Sequence, residues 1–323
     1  MTARPRVVVT RRLPEPVERQ LAAEFDVELN ATDVPSTPAS LAQALRGADG
    51  VLCTITDGVS AALLVSQPRR ARILANFGAG FGHIDLGAAR AAGIVVTNTP
   101  DVLTEDTADL AITLLLATAR RACEGERMVR AGNWSGWRPT QLLGTRVSGK
   151  TLGIVGLGRI GRAVAERARL GFGMRVLAWS PSLAASATEV PGVRRCGTLE
   201  ELLVASDFVS LHCRATPVTR HLIGAEALAL MRPHAILVNT SRGDVVDERA
   251  LVHALATQRL AAAGLDVYEH EPALAAELLA MEQVVLLPHI GSATVESRVA
   301  MGERALANLR AFFAGEAPPD RVA

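Results

Sequence analysis

The apolar stretch Thr151–Val155 runs straight into Gly156-Leu157-Gly158-Arg159-Ile160-Gly161, and helix-forming sequence follows over Ile160–Leu170. A strand that becomes a helix across glycines at the first, third and sixth positions fits a βαβ unit of a parallel sheet. The first glycine allows the tight turn, the second lets a pyrophosphate approach the backbone, and the third lets helix lie on strand. The free N–H groups and positive dipole end of that helix attract phosphate. Gly156, Gly158, Arg159, Ile160 and Gly161 are therefore candidate dinucleotide ligands. Just upstream, the segment from Gly144 to Thr151 also fits the P-loop formula GxxxxGK[ST]. A working P-loop follows a strand and opens a helix, whereas this segment opens a strand, so triphosphate binding is not expected.

At 323 residues the chain is too long for one ordinary core and is expected to form two domains. Candidate strands Arg6–Thr10, Val27–Asn30, Gly50–Thr54, Arg72–Asn76 and Ile94–Thr97 alternate with amphipathic stretches such as Pro16–Phe25 and Ser40–Leu45. A long helix is expected over Asp101–Ala119, capped by Thr104 or Asp106, followed by a Gly- and Pro-rich loop from Gly132 to Pro139. The βα alternation restarts at Thr151, with strands expected at 151–156, 175–179, 207–211, 235–239, 262–266 and 284–287. A last helix, Val295–Phe313, is expected to pack back on the first domain. The class is α/β, with two βαβ domains.

Composition narrows the partners. Balanced charge, 34 Lys+Arg against 33 Asp+Glu, supplies no field to draw nucleic acid or an anionic membrane. Lys150 is the only lysine, so cationic recognition falls to arginine, whose planar fork suits carboxylate and phosphate. The four cysteines (Cys53, Cys123, Cys196, Cys213) are scattered and read as buried thiols of a reducing compartment. The longest apolar stretch, Leu110–Ala119, is half a membrane span, and no signal peptide opens the chain; a cytoplasmic protein is expected. His83, His212, His221, His234, His253 and His270 show no ligand spacing, and no metal is expected.

Three polar residues follow successive strands: Arg242 after 235–239, Glu271 after 262–266 and His289 after 284–287. Strands of a parallel sheet all end on one edge, the edge that also carries the glycine turn. An imidazole there can move a proton, a carboxylate can orient it and raise its pKa, and a guanidinium can hold a carboxylate and polarise the adjacent carbonyl. Dinucleotide folds place an acid about 20 residues past the glycines to bind the ribose 2′-hydroxyl. Ser180-Pro181-Ser182 stands there instead, which leans the cofactor from NAD toward NADP.

With these residues in view, the chain closely resembles the D-2-hydroxyacid dehydrogenase family over nearly its whole length. The matching stretches are Val9–Leu13, Ala75–Asp85, Val96–Asp101, Gly153–Gly161, Val238–Asp247, Gly264–Pro272 and Leu286–Thr294. Within the family it looks most like glyoxylate and hydroxypyruvate reductases. The resemblance implies a Rossmann cofactor domain (102–292) inserted in a flavodoxin-like substrate domain (1–101 plus 293–323), with catalysis in the cleft. It implies that Arg242 binds substrate, that Glu271 orients His289, and that His289 is the general acid for reduction. Asp266 matches the acid that contacts the nicotinamide amide, and Thr107 matches a cofactor-lining position; Thr240 joins the candidate cofactor ligands.

Ala79 and Gly80 fall where family members offer N–H groups to the substrate carboxylate, and Trp137 where some relatives reach into a partner subunit, so a homodimer is implied. Gly82 stands where relatives often carry Asp or Asn. Arg214 replaces a usual proline beside the adenosine pocket and could supply the cation for a 2′-phosphate. The expected activity is NAD(P)H-dependent reduction of a small 2-oxo acid, glyoxylate or hydroxypyruvate, to the D-2-hydroxy acid. Two alternatives are a dehydrogenase of another D-2-hydroxy acid such as 3-phosphoglycerate, and an NAD(P)-sensing regulatory protein.

Overall fold

A computed structural model describes residues 4–65, 68–180 and 190–323. The first run of elements is β1 (Arg6–Val9), α1 (Glu15–Glu24), β2 (Asp26–Glu28), α2 (Pro38–Gly47), β3 (Gly50–Thr54), α3 (Ala61–Val65), β4 (Ile73–Phe77), α4 (Leu86–Ala91) and β5 (Val95–Thr97). Two helices follow, α5 (Thr104–Ala119) and α6 (Ala122–Arg130). The second run begins with β6 (Thr151–Val155), α7 (Arg159–Phe172), β7 (Arg175–Trp179), β8 (Val193–Arg195), α8 (Leu199–Ala205), β9 (Phe208–Leu211) and α9 (Ala225–Leu230). It continues with β10 (Ile236–Asn239), a 3-10 turn at Gly243–Val245, α10 (Glu248–Ala256), β11 (Ala262–Leu265), α11 (Ala276–Ala280) and β12 (Val284–Leu286), and α12 (Val295–Phe313) comes last.

The chain divides into two compact units, Met1–Leu103 with Ser292–Ala323, and Thr104–Gly291. The first holds a five-stranded sheet in the order β2-β1-β3-β4-β5, the flavodoxin-like winding. The second holds a seven-stranded sheet in the order β12-β11-β10-β9-β6-β7-β8, the Rossmann winding with its reversal between β6 and β9. Every pairing between named strands is parallel. Every residue of β3, β4, β6, β9, β10 and β11 is buried, because helices cover both faces of a parallel sheet; this is why these strands read as unbroken apolar runs. Leu152 and Ile154 of β6 are wholly buried, and cutting either to Ala is expected to cost about 2–5 kcal/mol. In the first unit α12 packs on β4 and α1, with Met301, Ala305, Leu306 and Leu309 turned into the core.

Local chemistry departs from the sequence expectations in a few places. The helix expected from Asp101 begins at Thr104, since Asp101 takes φ +74° and cannot be helical; Thr104 and Asp106 lie in its first turn rather than capping it. The strand expected over 151–156 stops at Val155, because Gly156 turns left-handed at φ +100°. Helix α6 was not expected: it is nine residues long, charged at Glu124, Glu126, Arg127 and Arg130, and buries none of its residues fully, with Cys123 partly buried against the core. Strand β8 was also missed, being three residues of largely polar edge. The P-loop-like segment is a turn leading into β6, closed by the Lys150 N–H on the Val147 carbonyl at 3.1 Å. All four cysteines are free thiols. Among the described residues no helix is long and apolar enough to cross a membrane, and no group of three or more His, Cys, Asp or Glu could hold a metal ion.

Candidate active site

Parallel register brings the C-terminal ends of β7, β6, β9, β10, β11 and β12 to one edge of the second unit, and the candidate residues follow those ends. After β6 the three glycines do separate things. Gly156 is left-handed, and a Cβ there would stand 2.5 Å from the Cys213 amide nitrogen. A Cβ at Gly161 would stand 2.2 Å from the Gly156 carbonyl oxygen, so α7 lies directly on the turn. At Gly158 nothing lies within 4 Å of where a Cβ would be, which leaves the backbone open to a ligand. Helix α7 has Gly158 as its N-cap and no side-chain cap, so its first N–H groups are available to an anion. Arg159 opens the helix, and Ile160 packs half-buried against the core beneath it.

Two strand exits flank this turn. The Gly156 N–H bonds the Trp179 carbonyl at 2.8 Å, so Ser180, the next residue, leaves beside it. The His212 N–H bonds the Val155 carbonyl at 2.8 Å on the other side, leading to Cys213 and Arg214. Arg214 is exposed, and its guanidinium has no hydrogen bond or ion pair with a described residue. Pro181 and Ser182 lie outside the described residues. Thr240, just past β10, is 7% exposed, and its hydroxyl has no partner among the described residues. A buried unsatisfied hydroxyl costs about 1–3 kcal/mol, so this oxygen is suited to a ligand group. The open Gly158 backbone, the uncapped helix and the unpartnered Thr240 hydroxyl fit a dinucleotide.

Arg242 leads into the 3-10 turn. The buried Asn239 side chain accepts from the Ser241 N–H (3.0 Å) and hydroxyl (2.8 Å), and donates to the Arg242 carbonyl (2.9 Å). Gly243 next to it touches the loop after β11 so closely that a Cβ would stand 1.8 Å from the Tyr268 carbonyl carbon. Glycine here lets the turn carrying Arg242 abut the loop carrying Glu271. Removal from water pulls the Arg242 pKa down, against the opposing pull of Glu271 and Asp244.

Glu271 Oε2 lies 2.7 Å from His289 Nδ1, and Glu271 Oε1 accepts the Tyr268 N–H at 3.0 Å. Burial by itself pushes the Glu271 carboxyl up, but the His289 hydrogen bond and charge, the Tyr268 amide and Arg242 outweigh it, and the net shift is down. An ionised carboxylate can only accept, so Nδ1 donates and Nε2 is the ring atom left for proton exchange. His289 itself takes φ +55°, a conformation non-glycine residues seldom keep without enforcement.

The enforcement is visible. Asp266, buried at the end of β11, accepts the Ile290 N–H (2.7 Å) and the Gly291 N–H (2.8 Å), while the Thr107 hydroxyl donates to the Gly291 carbonyl (3.0 Å). Burial pushes the Asp266 carboxyl up, partly offset by those amides and by His289. Both expected cofactor residues thus also hold the turn that bears the imidazole. The Tyr268 hydroxyl donates to the Leu287 carbonyl at 2.8 Å, fixing the chain two residues before His289.

In the first unit, Asn76 Nδ2 donates to the carbonyls of Gly78 and Gly80 (2.9 Å each), and Asn98 Nδ2 donates to that of Ala79 (2.8 Å). Three consecutive carbonyls are engaged, and the N–H groups of Ala79 and Gly80 have no partner among the described residues. Trp137 is 82% exposed, on the segment after α6. The structure therefore brings Arg242, Glu271 and His289 together at the dinucleotide edge of one unit. Asn76, Asn98, Asn239, Gly243 and Tyr268 were not singled out by sequence; the one available signal was an asparagine at or next to the last residue of an apolar strand.

A Rossmann sheet that sets a carboxylate–imidazole pair and an arginine beside its glycine turn defines a nicotinamide-dependent dehydrogenase. Residues 112–291 match the family model described as D-isomer specific 2-hydroxyacid dehydrogenase, NAD binding domain, and the chain belongs to that family. It is 45% identical over 323 residues to the glyoxylate reductase of Thermococcus litoralis, covering 99% of this chain and 97% of that one. It is 46% identical over 321 residues to the glyoxylate reductase of Korarchaeum cryptofilum, covering 99% and 96%. The crystal structure of an NADPH-dependent glyoxylate/hydroxypyruvate reductase from Sinorhizobium meliloti, in complex with NADP and malonate, superposes with a TM-score of 0.87 at 35% identity, covering 99% and 97%.

Proposed function

We propose that this chain reduces glyoxylate or hydroxypyruvate to the 2-hydroxy acid, D-configured where the product carbon is chiral. The reading is carried by the 2.7 Å Glu271–His289 pair beside Arg242, and the names of its relatives point to the same substrates. The turn Gly156–Gly161 with Arg159 and Ile160 would hold the pyrophosphate, and Thr107, Thr240 and Asp266 the nicotinamide half. Reduced nicotinamide, when bound, supplies the hydride. Arg242 holds the substrate carboxylate and polarises the neighbouring carbonyl. His289 gives the proton on Nε2 to the carbonyl oxygen as charge develops there, and Glu271 stabilises the charged ring before the transfer. In the first unit, the unpartnered amides of Ala79 and Gly80 support a role in carboxylate binding.

We further read the cofactor as NADP, because a hydroxyl rather than a carboxylate stands at Ser180 and Arg214 is exposed beside the turn with no partner among the described residues. An Arg214→Ala protein with an unchanged NADPH/NADH preference would defeat that part. Val129 near the end of α6 and Trp134, Trp137 and Leu143 beyond it are all exposed, a clustering of apolar surface that supports a homodimer. Sedimentation of the parent and of Trp137→Ala tests it; a monomeric parent removes it. Four free thiols support a cytoplasmic setting. The central experiment is a panel of 2-oxo acids assayed with NADH and NADPH, alongside His289→Gln. The variant should retain cofactor binding and lose about 100-fold or more in kcat; activity within threefold of the parent would overturn the assignment of His289.

A further inference from the structure

His221 lies between β9 and α9 and touches both segments that carry the proposed catalytic groups. Its N–H donates to the Asp244 carbonyl at 2.8 Å, two residues past Arg242. The contact extends into a short ladder, with the Ile223 N–H on the Val245 carbonyl (3.0 Å) and the Asp247 N–H on the Ile223 carbonyl (3.2 Å). The imidazole of His221 reaches the other way: Nε2 lies 2.6 Å from Glu269 Oε1, two residues before Glu271. One residue therefore bonds the Arg242 turn through its backbone and the Glu271 loop through its side chain. It does so at φ +50°, a left-handed conformation that a non-glycine residue keeps only where its surroundings enforce it.

We propose that His221 is a positioning residue for the reduction, acting with Glu269 to fix the Arg242 turn against the Glu271 loop. The proposal rests on the roles given above to Arg242, Glu271 and His289. The loop does not need His221 in order to fold. Glu248, the first residue of α10, already accepts the Glu269 N–H (3.2 Å) and the Ala275 N–H (3.0 Å), closing the loop at both ends. The Glu269 side chain is 11% exposed and that of His221 36%, and Arg220 Nη2 approaches the same carboxylate oxygen at 3.3 Å. With His221 a third exposed and Arg220 sharing the carboxylate, loss of the imidazole costs little global stability. Glu269 is the more buried partner and also accepts the Glu248 N–H at 3.4 Å. Registration is another matter, because a displacement of about 1 Å at reacting groups can cost on the order of 100-fold in rate.

The test compares the full chain with His221→Ala, His221→Gln, Glu269→Ala and the double variant His221→Ala/Glu269→Ala. With glyoxylate, each alanine variant should lose about tenfold in kcat. Cofactor affinity by fluorescence should stay near the parent value in every variant and Tm near it in the His221 variants, and the isotope effect with cofactor deuterated at the transferred position should rise. The double variant should be no worse than the poorer single variant, because both break one link. His221→Gln, which can place a donor near the Nε2 position, should recover most of the loss. The proposal is overturned if either alanine variant keeps kcat within twofold of the parent, if the two losses multiply, or if glutamine does no better than alanine. Should His221→Ala fail to fold, Glu269→Ala and His221→Gln decide the matter by the same criteria. A parent that reduces no 2-oxo acid overturns the functional reading and this proposal with it; an active parent with an unaffected Glu269→Ala overturns this proposal alone.

Discussion

The turns after β4 and β6 look alike in sequence, Gly78-Ala79-Gly80 against Gly156-Leu157-Gly158, yet different groups hold them. After β6 the backbone does the work: Gly156 is left-handed, Gly161 packs on its carbonyl, and a helix presents free N–H groups. After β4 neither Gly78 nor Gly82 is among the left-handed glycines, and the two asparagine side chains engage the carbonyls and leave the amides bare. Both arrangements present donors to an anion. One makes them from helix geometry, the other by occupying the competing acceptors. The two should therefore fail in different ways when altered.

The largest effect is expected at Gly161. A Cβ there would meet the Gly156 carbonyl oxygen at 2.2 Å, backbone against backbone, with no flexible side chain to yield. Gly161→Ala should weaken cofactor binding by roughly 3 kcal/mol, about 100-fold in Kd, read by nucleotide fluorescence. A change below threefold would mean that the turn can give way and that the contrast with the first unit is overstated.

Asn76→Ala comes next. It removes two hydrogen bonds, one to the buried Gly78 carbonyl and one to the half-buried Gly80 carbonyl, and lets the Ala79 and Gly80 amides reorient. At about 1 kcal/mol for such a loss, KM for the 2-oxo acid should rise around fivefold while cofactor Kd is untouched. Equal damage to cofactor binding would show that Asn76 supports the fold at large instead of one turn.

The same contrast explains what could be read from the chain beforehand. The second unit's turn was legible because left-handed φ and close approach exclude every residue but glycine, and that exclusion is written in six consecutive letters. Arg242, Glu271 and His289 were legible because parallel strands bring all their ends to one edge. The clamp of the first unit was not, since Asn98 lies 19 residues beyond the Ala79 carbonyl it holds and an asparagine in a loop has many uses. Nor did the sequence reveal that Asp266 and Thr107 brace the His289 turn, a contact in which Thr107 and Gly291 stand 184 residues apart. Short-range geometry leaves a local signature; side-chain clamps across the fold do not.

A smaller effect separates the two by charge. Neutral carboxamides hold the turn of the first unit, whereas a carboxylate holds the imidazole in the second. Because the Glu271 pKa is lowered in the folded chain, its ionised form is favoured there. Its contribution is complete above the unfolded carboxylate value and is lost as pH falls through the lower folded value. The stability difference between the parent and Glu271→Gln should thus shrink only below about pH 5. With the carboxylate a third exposed, the whole difference should be about 1 kcal/mol or less. Denaturant midpoints measured across pH check this, and shrinkage already between pH 7 and 6 would contradict it.

The smallest effect is expected at Gly82, where the family resemblance implies a polar side chain. Nothing lies within 4 Å of a Cβ placed there, and its φ is not in the left-handed region, so no conformation or contact requires glycine. The carbonyls that set the Ala79 and Gly80 amides belong to residues 78–80 and are held by Asn76 and Asn98, neither of which bonds Gly82. Gly82→Ala should leave KM and kcat within twofold of the parent. It should also stabilise the chain by about 0.4–1 kcal/mol, because the unfolded state loses freedom that the folded state does not use. A tenfold rise in KM would mean that the backbone of this turn must flex when substrate binds. The first unit's turn would then depend on glycine as the second's does, although for mobility instead of for shape.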